Sequence, residues 1–165
     1  MNTRVVLTFT AALLLLTVSL PVSAQDSRAC NNQLIRGTYG FTLEGQKLGG
    51  KGPVGPQVGV ALTTFDGKGS LTQIDSVTVN GVPVANLNET PTPGTYTVNS
   101  NCTGSFVLNF TDGRPTVTTD FVVVQNGNEI DTVVVAPSNC GTAGGPPQGC
   151  LATRSIGKRR LSFDW

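Results

Sequence analysis

Acidic side chains are the residues of this chain with the clearest capacity for chemistry, because two carboxylates at a set separation can hydrolyse a glycosidic bond. The sequence contains no histidine, which removes the commonest general base and both the Ser-His-Asp and Cys-His arrangements. Alternation along the chain places Glu44 and Asp120 on outward faces of strands, and Glu129 and Asp131 flank or follow a turn, so we assign no catalytic residue. The candidate carboxylates are Glu44, Asp75, Asp120, Glu129 and Asp131.

Three polar side chains are candidates for ligand binding. Tyr39 and Tyr96 fall in the apolar phase of their strands, where each could line a cavity or be a core tyrosine with one hydrogen bond. Asp75 lies where the apolar alternation changes phase between Ile74 and Val77, which indicates a β-bulge near Asp75. Such a bulge can turn a carboxylate into a pocket. A carboxylate on the surface is the simpler interpretation.

Four cysteines indicate two disulfides in an exported chain, and three connectivities are open to them. Residues 140–150, CGTAGGPPQGC, are rich in Gly and Pro and are typical of a loop whose ends meet. We therefore predict a Cys140–Cys150 bridge, which leaves Cys30 to pair with Cys102. A zinc site is disfavoured because the chain has neither histidine nor a C-x-x-C motif, and we predict no metal and no cofactor.

Alternating segments define the elements that must position these residues. In Gly94–Phe110, apolar and polar side chains alternate on both arms of a polar turn, the pattern of a half-buried β-hairpin. Similar segments recur along the chain and are separated by turn dipeptides, among them Asp66-Gly67 and Asn126-Gly127. After the first 24 residues no segment has a helical period.

Eight or nine short strands are expected, with turns every ten to twelve residues. Because no helices are available for crossover connections, the strands should form an antiparallel meander. A sheet of this size can close into a small barrel or fold into a β-sandwich, and we favour the closed all-β barrel of about eight strands.

Residues 1–24 have the features of a secretory signal peptide. Arg4 supplies the positive charge, Val5–Leu20 the apolar run, and Val22-Ser23-Ala24 the small residues before a cleavage site. The alternative is a transmembrane anchor, since the apolar run is near the lower limit for spanning a bilayer. We expect cleavage after Ala24 and a secreted or periplasmic protein without a membrane span.

The remaining chain, residues 25–165, has the length of a single domain. Within it we predict a Gly-rich loop at 45–56, a disulfide loop at 140–150 and a polar tail at 158–165. Removal of Arg4 leaves ten basic and ten acidic residues. This balance argues against nucleic acid as a partner, because nucleic acid selects a basic face.

Three motifs carry a resemblance that covers nearly all of residues 25–165. The chain resembles a group of small exported bacterial proteins with no assigned activity, and only in architecture is it similar to the calycins and the allene oxide cyclase-like barrels. The first resemblance supports pairing Cys30 with Cys102 and makes the Cys140–Cys150 segment an addition; it implies no catalytic residue. The motifs are Cys30…Leu34-x-x-Gly37-x-Tyr39-Gly40-Phe41, Phe65-Asp66-Gly67-Lys68-Gly69 and Gly94-Thr95-Tyr96-x-Val98-Asn99-x-x-Cys102-Thr103-Gly104.

Three classes of function are compatible with these features. The first is an exported barrel that binds a small apolar or amphipathic ligand, for which Tyr39, Tyr96 and Asp75 are the candidate contacts. The second is a structural or surface-interaction protein that associates with envelope or matrix material. The third, an isomerase-like barrel enzyme, is the least favoured because it needs a converging acid and base.

Overall fold

The computed structural model describes residues 29–111, 113–136 and 150–160 of the chain. The regular elements in these ranges are β-strands and two short 3₁₀ helices, which confirms the all-β prediction. Neither helix is long and apolar enough to cross a membrane. The predicted signal peptide lies outside the described residues. The elements are η1 (Asn32–Ile35), β1 (Gly37–Gly49), β2 (Gly55–Phe65), β3 (Ser70–Val79), β4 (Val82–Ala85), β5 (Thr92–Val98), β6 (Thr103–Leu108), β7 (Val117–Val124), η2 (Gln125–Gly127), β8 (Glu129–Ala136) and β9 (Cys150–Arg159).

Eight of the strands close into an antiparallel barrel. Around the barrel the order is β1-β2-β3-β5-β6-β7-β8-β9, and β9 pairs with β1 to complete the ring. The additional strand, β4, pairs with the C-terminal part of β3. Consecutive strands are neighbours except where β4 intervenes. The predicted closed meander is confirmed, and the sandwich alternative is excluded.

Alternation along the strands fills the barrel interior with side chains. In the predicted hairpin β5 pairs with β6 and places Tyr96 opposite Phe106. These two side chains and those of Val98 and Leu108 are buried, whereas the intervening Thr97 is exposed. An eight-stranded barrel is just wide enough for its interior to be filled in this way. The hairpin therefore contributes side chains to the hydrophobic core, as its alternating pattern predicts.

One end of the barrel, where β1 begins and β9 ends, is closed by η1; we call it the capped end. Asn31 caps η1 by accepting a hydrogen bond from the Gln33 amide (2.9 Å), and Ile35, the last residue of the helix, is fully buried. The predicted Cys30–Cys102 disulfide is present and joins this segment to the β5–β6 turn, with the two Cα atoms 5.0 Å apart. The second predicted bridge involves Cys140, which lies outside the described residues.

The opposite end, where β1 ends and β9 begins, is the loop end. The Gly-rich loop predicted at 45–56 is shorter than expected, because β1 extends to Gly49 and β2 begins at Gly55. Glycine is typical of loops, but Gly45 lies in a strand in close contact with its neighbour: a Cβ on Gly45 would overlap the backbone of Ala152 in β9.

The predicted tail at 158–165 also requires correction. Lys158 and Arg159 belong to β9, and residues 161–165 lie outside the described part of the chain. Arg159 is held in the sheet because its guanidinium donates to the backbone carbonyls of Leu34, Arg36 and Gly127. Arg159, which is predicted to lie in a polar tail, therefore attaches η1 and η2 to the barrel.

The bulge predicted near Asp75 does not occur in the pairing of β3 with β2. The register runs without a shift from Gln57↔Val79 to Phe65↔Leu71, and Asp75 lies opposite Ala61. The inward phase includes Gln73 and Asp75, while Ile74 lies in the opposite phase. The apparent slip arose because polar residues occupy interior positions, so that the apolar pattern alone gave the wrong phase.

Aromatic rings cover glycines on neighbouring strands at two points of the interior. Phe41 of β1 lies opposite Gly157 of β9, and Phe121 of β7 lies opposite Gly104 of β6. A Cβ at either glycine would overlap atoms of the facing ring. Because glycine has no side chain, each aromatic ring can lie directly over the glycine backbone. The rings thus fill the interior of a strongly curved barrel.

We expect Gly157→Ala to lower the free energy of unfolding by about 1–3 kcal/mol, because the new methyl group displaces the Phe41 ring in a packed core. Gly40→Ala is the matched control: Gly40 is on the neighbouring strand, is exposed, and has nothing within 4 Å of an added Cβ. Urea unfolding of both variants measures the difference. Equal effects of the two substitutions would contradict the proposed fit of ring and glycine.

Candidate functional site

A fork in the hydrogen bonding of β3 marks the most unusual part of the barrel wall. On one edge β3 pairs with β2 throughout Leu71–Val79. On the other edge it pairs with β5 at Ser70–Gln73 and with β4 at Val77–Val79. Within the described chain, Ile74–Ser76 lie between these two pairings. The wall therefore divides here, and the loop from β4 to β5 bridges the division.

Asp75 lies at this fork with its side chain directed inward and about 10% exposed. The Gln73 amide donates to its carboxylate (Nε2 to Oδ2, 3.3 Å), and the Thr63 hydroxyl donates to the Gln73 carbonyl oxygen (2.8 Å). Thr63 is fully buried. A chain of polar side chains thus runs from Thr63, which lies opposite Tyr39 on β1, to the carboxylate.

Arg114, in the loop between β6 and β7, joins the two sides of the fork. Its guanidinium lies 3.4 Å from Asp75 Oδ1 and 2.9 Å from Glu89 Oε2, and 4.0 Å from the centre of the Phe110 ring. The other Glu89 oxygen accepts from the Asn86 amide (3.1 Å). One cation therefore ties the β4–β5 loop to β3. We call Gln73, Asp75, Glu89, Phe110 and Arg114 the fork cluster.

Burial raises the pKa of Asp75 above that of an exposed aspartate. The Arg114 charge and the hydrogen bonds from Arg114 and Gln73 act in the opposite direction, but they do not compensate fully. The Arg114–Asp75 contact is long, so the guanidinium stabilises the ionised form only in part. The fork cluster thus holds a carboxylate that takes up a proton more readily than a surface residue does.

The two candidate tyrosines lie at the capped end, remote from Asp75. Tyr39 donates to the Gly127 carbonyl and packs edge-to-face on Phe65, which also contacts Tyr96. Phe65 lies opposite Leu71 of β3, and Asp75 is four residues beyond Leu71, about 13 Å towards the loop end. The three side chains do not converge on one pocket.

Both tyrosine hydroxyls bond to the backbone of the capped end. The Gly67 amide donates to the Tyr96 hydroxyl (2.8 Å), which in turn donates to the Asn32 carbonyl (3.3 Å). Burial raises the pKa of Tyr39 to about 12, against the opposing charge of Arg159, and burial also raises the pKa of Tyr96. Neither hydroxyl is poised to ionise, and their contacts are those of core tyrosines.

The other candidate carboxylates lie on the outer wall. Glu44 accepts from Arg154 (Nε to Oε1, 2.8 Å) in an exposed pair, and Glu129 is 3.6 Å from Lys158 Nζ. Asp120 and Asp131 line one side of an open groove of about 570 Å³ on β6, β7 and β8. A second open groove, of about 600 Å³, includes Glu44. Neither groove includes a member of the fork cluster.

Sequence reasoning identified Asp75 but missed its partners. An uninterrupted alternation through β3 would have turned Gln73 inward together with Asp75. Glu89, Phe110 and Arg114 lie outside strands, where alternation carries no information. The described residues contain no group of three His, Cys, Asp or Glu side chains placed to hold a metal ion.

The chain matches no protein-family model, no curated protein and no solved structure.

Removal of the two tyrosine hydroxyls should separate their structural contributions. We expect Tyr39→Phe to cost about 1 kcal/mol of unfolding free energy, because Arg159 continues to donate to the Gly127 carbonyl (2.9 Å). Tyr96→Phe should cost more, about 2 kcal/mol, since it removes the acceptor of the buried Gly67 bond. Chemical denaturation of both variants tests this order, and the reverse order would contradict it.

The raised pKa of Asp75 predicts a pH dependence. Between the pKa of unfolded aspartate, about 3.9, and the higher folded-state value, the folded protein binds a proton that the unfolded chain does not. Relative to Asp75→Asn, the wild type should therefore gain stability as the pH falls through the folded-state pKa, and the gain should be complete near the unfolded value. Denaturation from pH 7 to pH 3.5 measures this difference.

The comparison with Asp75→Asn cancels the titration of all other groups to first order. A difference that is constant with pH would contradict the burial of an ionisable carboxylate. A wild type that loses stability on acidification relative to the variant would show that the ion pair with Arg114 outweighs burial.

Proposed function

We propose that this protein binds a small amphipathic ligand at the loop end of the barrel, with the ligand's polar group at the fork cluster. The observation that carries the proposal is the position of a partly buried ion cluster at a break in the wall, next to exposed aliphatic side chains. In this proposal the barrel is an exported binding protein of bacterial type, cleaved after Ala24, and it performs no chemistry on its ligand.

Five exposed aliphatic residues at the loop end form what we call the aliphatic rim, and each has between 37% and 51% of its surface exposed. One lies at the end of β1, one in the β1–β2 loop, and three in β4 and the residues that follow. The first two and the last three are neighbours because the Asn80 amide donates to the Pro56 carbonyl (2.7 Å). Clustered exposed aliphatics of this kind favour a binding surface. The aliphatic rim is Leu48, Val54, Val82, Val84 and Leu87.

The packing of the interior favours the loop end over the deep core as the binding position. In the part of the interior nearest the capped end, aromatic side chains are in contact with one another, Tyr39 with Phe65, Phe65 with Phe106 and Phe106 with Phe121. Every buried side-chain polar atom of the described residues has a hydrogen-bond partner. A ligand that enters the core would have to break these contacts, whereas the rim and the fork cluster are reachable from solvent.

A second function, interaction with a larger surface, is favoured by the outer wall. Six aliphatic side chains on the outside of the sheet are between 39% and 59% exposed, on β2 and on β7 to β9. Such a wall could contact envelope or matrix material without a small ligand. These residues are Val58, Val60, Val122, Val133, Val135 and Ile156.

Two serine substitutions separate these functions. Val82 on the aliphatic rim and Val133 on the outer wall are both 50% exposed, so Val82→Ser and Val133→Ser are matched in chemistry and exposure. We expect Val82→Ser to weaken the binding of 1-octanol, octylammonium or octanoate about fivefold, since half of a valine side chain contributes about 1 kcal/mol. Val133→Ser should leave the affinity unchanged. Saturation-transfer NMR below the micellar concentration provides the measurement.

The proposed function fails if none of the three amphiphiles binds the wild type. A loss on Val133→Ser but not on Val82→Ser would instead place the apolar contact on the outer wall and favour the second function.

A further inference from the structure

The turn between β1 and β2 carries positive charge and exposed aliphatic surface side by side. Leu48 and Val54 are 51% and 50% exposed, and Lys51 between them is exposed as well. The ammonium of Lys47 donates to the backbone carbonyl of Lys51, which keeps it at the same turn. We call these four residues, Lys47, Leu48, Lys51 and Val54, the basic tip. It combines two cations with apolar side chains at one end of the barrel.

The positive charge of the basic tip is not balanced by neighbouring carboxylates. Among the described residues, neither of its lysines forms an ion pair, and Glu44 farther down β1 is paired with Arg154. Asp75 of the fork cluster is four residues below Val79, the last residue of β3, which corresponds to about 13 Å. That separation exceeds the Debye length of about 10 Å at roughly 0.1 M salt. Salt therefore screens the fork cluster from the tip.

The capped end has cations but lacks exposed aliphatic surface in its described part. Arg36 and Lys68 are exposed there, whereas the large aliphatic side chains that are exposed lie at the loop end or on the outer wall. At the loop end Val82, which is 50% exposed, adds to the apolar surface of the basic tip. It is held beside the turn because the Asn80 amide donates to the Pro56 carbonyl (2.7 Å). Cations and aliphatic side chains thus occur together at the loop end.

A bilayer of anionic lipids complements both features of the basic tip. Lipid phosphates attract lysines close to the surface, and the boundary of the acyl chains takes up aliphatic side chains that reach below the headgroups. A soluble anion would gain nothing from Leu48 and Val54. A second copy packed tip against tip would bring the lysines together as like charges. Because these side chains belong to one end of the barrel, they can meet a flat surface at the same time.

We infer that the loop end docks on the surface of an anionic lipid bilayer, with Leu48, Val54 and Val82 in the headgroup region and the two lysines of the basic tip on the lipid phosphates. This docking goes beyond the function proposed above and does not use the fork cluster. The contact is peripheral and reversible, since a few half-exposed aliphatic side chains and two lysines bind far less strongly than a spanning segment.

Co-sedimentation with lipid vesicles tests the inference on the exported protein without its predicted signal peptide. We expect binding to vesicles of equal parts phosphatidylglycerol and phosphatidylcholine, and at least about tenfold weaker binding to pure phosphatidylcholine, which carries no net charge. Lys51→Gln should weaken binding to the mixed vesicles about fivefold. The matched control, Lys68→Gln, removes an exposed turn lysine at the capped end and should leave the binding unchanged.

Two serine substitutions test the apolar part of the contact. Val54 on the basic tip and Val133 on the outer wall are both 50% exposed. Val54→Ser should weaken binding to the mixed vesicles about fivefold, whereas Val133→Ser should not change it. The substituted side chains are all exposed, and a urea unfolding curve of each variant verifies that the barrel is intact.

Absence of binding to the mixed vesicles would overturn the inference, and so would equal binding to both kinds of vesicle. Equal losses from Lys51→Gln and Lys68→Gln would also overturn it, since they would reflect overall charge. A loss on Val133→Ser alone would place the outer wall on the lipid. A dimer in sedimentation velocity that Val54→Ser dissociates would instead place a second copy on the tip.

The vesicle experiment and the amphiphile experiment fail independently of each other. A protein that binds 1-octanol but no vesicles retains the proposed function and loses the docking. A protein that binds the mixed vesicles through the basic tip but none of the amphiphiles retains the docking alone.

Discussion

Closure of the sheet between β2 and β3 is the constraint on which the other features of this structure depend. To close the ring, β3 pairs with β2 along nearly its whole length, and its other edge is divided between β5 and β4. A strand of ten residues thus serves three neighbours. The division leaves a short stretch around Asp75 between two pairings, and the β4–β5 loop must cross it. Arg114 holds this crossing by bonding to both Asp75 and Glu89.

The two ends of the barrel are closed by different kinds of interaction. At the capped end, apolar burial dominates: Ile35 of η1 is fully buried, and the Cys30–Cys102 bridge fastens that segment to the barrel. The polar atoms there, such as the hydroxyl of Tyr96, bond to backbone groups. At the loop end, closure depends on charged side chains that remain partly in contact with water. An end closed by apolar packing is costly to open, whereas an end closed by partly exposed ion pairs can exchange partners.

Much of the fold could be predicted from the sequence because a closed meander is dominated by pairs of strands that are adjacent in the chain. Alternation identified the β5–β6 hairpin, and Asp66-Gly67 marked the turn in which Asp66 accepts three backbone amides. The pattern was misleading where interior positions carry glycine or polar residues, as at Gly45 and Asp75. There the requirements of curvature and of hydrogen bonding in the interior outweigh apolar alternation.

The candidate site was only half predictable for a related reason. Asp75 was recognisable as an unusual residue in a strand, but Arg114 is 39 residues away and belongs to a loop with no pattern. Asp75 and Arg114 come into contact only after the barrel closes, so no local feature of either segment predicts the contact. The contact does not fully offset the desolvation that raises the pKa of Asp75, a cost that an apolar residue at position 75 would avoid. A buried carboxylate with a long ion pair contributes little to the stability of the fold.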